Sequence, residues 1–115
     1  MEQKKILGQL AAAATTSEVL YTVPDLKGAV LSSIVVCNRS ASSKTFRLAV
    51  SYGGNALSNK DYQYYDTSIP ANDTLTIVIG MTLSNEDVVR TYASSADLTF
   101  TAYGVEFDQT NVFTP

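Results

Sequence analysis

Residues 45–50 read TFRLAV, with Phe46, Leu48 and Val50 alternating against Thr45, Arg47 and Ala49. A strand turns successive side chains to opposite faces, so this stretch has one face for a core and one for water. Working outward, the same period of two recurs on both sides. Leu98, Phe100 and Ala102 alternate with Thr99, Thr101 and Tyr103, and Leu75, Ile77 and Ile79 alternate with Thr74, Thr76 and Val78. Val19, Tyr21 and Val23 alternate with Leu20 and Thr22 up to Pro24, whose missing N–H closes a strand. Residues 29–38, AVLSSIVVCN, are apolar on both parities apart from Ser32 and Ser33. That is the pattern of a central strand covered on both faces, with Cys37 buried in it. Further strands are predicted at 60–68, which holds Tyr62, Tyr64 and Tyr65, and at 87–93.

About seven strands, separated by turn clusters at 38–43, 53–59, 70–73 and 84–87, predict an all-β fold: a single antiparallel β-sandwich, jelly-roll-like or Ig-like. No Cys, Trp, Cys spacing singles out an immunoglobulin domain. The chain divides into an N-terminal arm over 1–17, the sandwich over 18–106 and a C-terminal tail over 107–115. Around Ile6 and Leu7 the arm reads as an extended segment or an extra edge strand. In the tail, Val112 and Phe113 are apolar and call for a surface to cover, either on their own domain or on a neighbouring subunit. Residues 1–14, MEQKKILGQLAAAA, have the outline of a secretory signal, but Glu2 in the basic region and Gly8 and Gln9 in the apolar run argue against one. No repeat of 20 to 50 residues or heptad is present, which removes solenoids and coiled coils.

Composition narrows the chemistry. With 115 residues and 45% hydrophobic content the chain makes one domain around one core, neither disordered nor membrane-spanning. Eight basic against eleven acidic residues leave a charge of -3, so nothing draws the protein to phosphate backbones and no nucleic-acid partner is expected. Zero His and one Cys remove together the usual general base, the usual metal ligand and an internal disulfide. The serines lack a base and no G-x-S-x-G elbow occurs. An enzyme, a cofactor, a bound metal and a membrane partner are therefore not expected.

Two clusters present themselves as sites. Asp61, Asp66, Asp73, Glu86 and Asp87 lie near loops and could converge on Ca²⁺, but no D-x-D-x-D-G loop appears and turn chemistry accounts for them better. Tyr62, Tyr64 and Tyr65 suit a protein interface or a sugar-stacking platform, with Tyr62 and Tyr64 on one face and Tyr65 on the other. Ile6, Tyr64 and Phe113 are the candidate interface residues.

From Leu20 onward the chain resembles small virion structural proteins of tailed bacteriophages, frequent among phages of aquatic bacteria including cyanobacteria. The stretches that carry the resemblance are LYTVP from Leu20, AVLSSIVVCNRS from Ala29, TFRLAVS from Thr45, YYDTSIPANDTLTIVIGMTLSNEDVVRTYA from Tyr64 and LTFTAYGVE from Leu98. The resemblance implies a non-enzymatic phage virion structural protein, in first place a capsid decoration or cement protein acting through homo-oligomeric contacts. The alternative is a tail, baseplate or fibre component, including a host-surface or glycan-binding module. It implies copies of itself as partners, a trimer first, together with other virion proteins such as the major capsid or tail proteins. Its place is then the virion, assembled in the host cytoplasm without a signal peptide.

Overall fold

The computed structural model describes residues 3–108. Its strands are β1 (Gln3–Ala11), β2 (Glu18–Thr22), β3 (Lys27–Asn38), β4 (Lys44–Ser51), β5 (Tyr62–Ile69), β6 (Thr74–Leu83), β7 (Val88–Ala93) and β8 (Leu98–Asp108). Two 3-10 turns, Tyr52–Gly54 and Asn59–Asp61, lie between β4 and β5. Each strand expected from the alternation is present, and β1 is an eighth. It occupies the segment assigned to an arm and pairs antiparallel along β8 from Gln3 to Ala11.

The strands form two four-stranded sheets, ordered β1-β8-β3-β6 and β2-β7-β4-β5, with every ladder antiparallel. Within them β1 pairs with β8, β2 with β7, β3 with β6 and β4 with β5. The chain is thus one long antiparallel hairpin, wrapped so that successive pairs fall in alternate sheets. Of the two sandwich types expected, this is the jelly-roll connection.

Between the sheets lies the core. Phe46 from β4 and Phe100 from β8 meet edge to face at 6.1 Å, one from each sheet, both buried. Leu31, Ile34 and Val36 of β3 and Ala102 of β8 pack on one side, and Leu48 of β4, Val89 and Ala93 of β7 on the other. Strand β1 approaches β2 closely at Gly8, where a Cβ would collide with the Leu20 carbonyl. Asn38 is buried at the end of β3 and closes that end of the core. Its Nδ2 donates to the carbonyls of Ser42, Ile69 and Pro70, and its Oδ1 accepts from the Ser40 N–H.

A second tie between the sheets is polar. Tyr21 Oη of β2 donates to Glu106 Oε2 of β8 at 2.6 Å, and Lys5 Nζ of β1 donates to Glu106 Oε1 at 3.0 Å. The Tyr21 hydrogen bond, supported by Lys5 and opposed by burial, holds the Glu106 carboxyl below its ordinary value of 4.5. Burial, with the hydrogen bond to Glu106, pushes the Tyr21 phenol above its ordinary 10.0.

Phe46→Ala should cost about 3–5 kcal/mol, measured by urea denaturation, because the cavity it leaves spans both sheets. Glu106 binds a proton less readily in the native than in the unfolded chain, so its stabilising contribution is full above pH 4.5 and is lost as pH falls through its lowered value. Urea midpoints measured downward from neutrality should fall in that acid window. Glu106→Gln should flatten that part of the profile, and an unchanged acid slope would show that the clamp contributes nothing.

Candidate functional site

Alternation leaves each sheet a second, outward face, and the two faces differ in chemistry. On β1-β8-β3-β6 the register sets the outward side chains in cross-strand rows. They run Lys4, Val105, Val30, Thr82; then Ile6, Tyr103, Ser33, Val78; then Gln9, Thr101, Val35, Thr76; then Ala11, Thr99, Cys37, Thr74. Four rows of four make sixteen positions, and Lys4 is the one charge among them. None of the sixteen is buried. The second row is the apolar centre: Val78 is 85% exposed, Ile6 49% and Tyr103 41%.

Bulges shape this face. The register slips at Leu7 in β1, opposite the step from Ala102 to Tyr103, at Ser32 in β3, opposite the step from Tyr103 to Gly104, and again in β6 between Val78 and Met81. The slips align across the sheet, which bends there. A shallow depression lined by Lys4, Lys5, Ile6, Ser32, Tyr103, Gly104 and Val105 follows the bend.

The other sheet presents tyrosine and arginine. Arg47 of β4 lies between two rings, 4.2 Å from the centre of Tyr65 and 4.3 Å from that of Tyr92. Its Nε donates to Asp66 Oδ1 at 2.7 Å, and this bond, ahead of the Coulomb attraction, raises its already high pKa. Tyr62 meets Tyr65 edge to face at 4.9 Å. Beside this stack Ser17, Ala49, Leu57, Tyr62, Arg90 and Tyr92 line a small indentation of the surface. Arg90 Nε donates to Ser51 Oγ at 3.0 Å, and Ser51 donates onward to Asp61 at 3.3 Å.

The tyrosines are therefore grouped differently from the expectation. A simple period of two puts Tyr62 with Tyr64, yet Tyr62 and Tyr65 share the outer face. The cause is backbone: Asp66 has φ of 49°, and the β4–β5 register slips between Phe46 and Leu48 and again between Leu48 and Ala49. Tyr64 is half-buried instead, its ring stacked on Phe46 at 6.0 Å. Of the other interface candidates, Ile6 stands in the central row of the uncharged face and Phe113 lies outside the described residues. Cys37 is half-buried rather than buried, because the outer side of β3 has no layer over it.

Three of the five loop carboxylates serve the backbone, and Asp66 is held by Arg47. Asp87 accepts from the N–H groups of Gly53 and Ser84, Asp61 from that of Ser58, and Asp73 from that of Thr74. Tyr103, Val78, Arg47, Arg90 and Tyr92 were not singled out from the sequence. A signal for the first two was present: the parity holding 74, 76 and 78, and that holding 99, 101 and 103, contain no charge. Compared with known protein families and curated proteins, the chain matches no family model and no curated protein.

Two adjacent substitutions test the assignment of faces. Ile77→Ala should cost about 2–5 kcal/mol in urea denaturation, because Ile77 faces the core, whereas Val78→Ser should stay within about 0.5 kcal/mol. Equal costs would contradict the register of β6.

Proposed function

We propose that the protein is a non-enzymatic structural component of a bacteriophage particle, a capsid decoration or cement protein that adheres to other virion proteins and to copies of itself. The observation that carries this reading is the outer face of β1-β8-β3-β6, uncharged but for Lys4. Covering a charge with another protein removes it from water at a cost of several kcal/mol, so interface centres are poor in charge. A four-stranded face with one lysine and no carboxylate offers a neighbour threonine hydroxyls, valine methyls and one tyrosine. Tyr103 stands at its centre, as the aromatic anchor of an interface commonly does. The resemblance to phage virion proteins supports the particle as the setting. So does the jelly-roll connection, which recurs in capsid domains, although fold shared across functions is an analogy.

A second reading has its own observation. The surface around Tyr62, Arg90 and Tyr92 combines aromatic rings with a guanidinium, the chemistry of a platform on which a sugar of the host surface stacks, and this would place the protein on a tail, baseplate or fibre. A glycan screen in which binding disappears on Tyr92→Ala would favour it.

For the leading reading, Tyr103→Lys should leave the domain folded and abolish retention of the chain on particles purified by density gradient, read by mass spectrometry of the particle band. A variant retained at wild-type copy number would overturn the assignment of the face. A wild-type chain absent from the band would overturn the particle setting.

A further inference from the structure

The two sheets have four edges, and three of them carry features that keep a bare strand from pairing with another chain. Strand β1 has Lys4 and Lys5. Strand β2 is five residues long, begins at Glu18 and is followed closely by Pro24. Strand β5 is bent at Asp66, where φ is 49°, and is followed by Pro70. Strand β6 differs. Its ten residues, TLTIVIGMTL, contain no charge and no proline. Its one irregularity is the slip near Gly80, at φ of 57°, which leaves Thr74 to Val78 as an unbroken run against β3. That run, Thr-Leu-Thr-Ile-Val, is made of residues suited to a pleated sheet. Along its outer edge no backbone hydrogen bond is made to any other described segment.

We propose that Thr74 to Val78 of β6 is a self-association site, pairing antiparallel with the same run in a second copy of the chain about a two-fold axis at Thr76. The register is self-complementary. With Thr76 opposite its own copy, Thr74 faces Val78 of the second copy and Leu75 faces Ile77 of the second copy. Paired residues lie on one side of a sheet, so the threonines and Val78 stay on the uncharged face while Leu75 and Ile77 continue the core side. Asp73, the nearest charge, then falls opposite Ile79 of the second copy, so no two carboxylates meet. The two four-stranded sheets become one of eight strands and the uncharged face doubles in width. Antiparallel pairing of one edge with itself closes at two copies, so this contact gives a dimer in place of the trimer first expected. The inference deepens the self-association part of the proposed function and rests on that part alone.

The test is sedimentation of the intact chain over about a hundredfold concentration range. The wild type should dimerise. Thr76→Lys with Val78→Lys, both at exposed positions, should weaken the dimer by about tenfold or more, because the two-fold axis would set the new ammonium at position 76 directly opposite its own copy. Thr101→Lys, in the middle of the face on β8, should leave the dimer intact. Hydrogen exchange on the wild type should show the Thr74–Leu83 amides slowing as concentration rises, and this needs no variant to fold. A wild type that stays monomeric, exchange in β6 indifferent to concentration, or loss of the dimer in Thr101→Lys but not in the β6 variant would each overturn the β6 contact. The last result would still leave the uncharged face as the contact of the proposed function.

Discussion

The contact of Phe46 with Phe100 organises this molecule. One ring comes from each sheet, both are buried, and the rest of the inward side chains pack around them. Two facing sheets of a sandwich lie about 10 Å apart, a gap that opposed aromatic rings fill with little help. Because the strand period is two, committing one parity of each strand to this core commits the other parity to the outside. The outer faces are a consequence of the core, and their chemistry is what remains free to vary.

That freedom has been used in two ways. The face of β2-β7-β4-β5 holds Arg47 between Tyr65 and Tyr92, a rigid arrangement in which the charge is engaged by Asp66 and by two rings. The face of β1-β8-β3-β6 holds almost no charge. Its exposed apolar residues cost little when isolated, but set in rows they form a continuous surface of the kind that marks a contact with another molecule. Clamping by Tyr21, Glu106 and Lys5 fixes β1 to both sheets, so Ile6 is held in place within that surface. Sheet edge and sheet face then meet at Val78, the most exposed large apolar residue among the described residues.

Much of the architecture was legible because alternation is a strong signal: the seven expected strands are β2 to β8. Strand β1 was harder to place because Leu7 is an extra residue and Gly8 follows it, so QKKILGQLA does not alternate cleanly. The same physics misgrouped the tyrosines, since a bulge reverses parity and leaves no mark on composition. Residues 29–38 teach a different lesson. Apolar side chains on both parities predict cover on both faces, whereas Val35 and Cys37 are half-buried on an open one. The surplus apolar parity belongs to the uncharged face. Choice between the jelly-roll and Ig-like connections was not legible, because it depends on which distant strands pair.

Footprinting of the side chains tests the central claim most directly, by comparing chemical modification of the free chain with that of the chain bound to a particle. If the uncharged face is the contact surface, Tyr103, Ile6 and Val78 lose modification on assembly while Tyr65 and Tyr92 keep it. Protection of Tyr65 and Tyr92 with Tyr103 unchanged would contradict the account and move the contact to the other sheet.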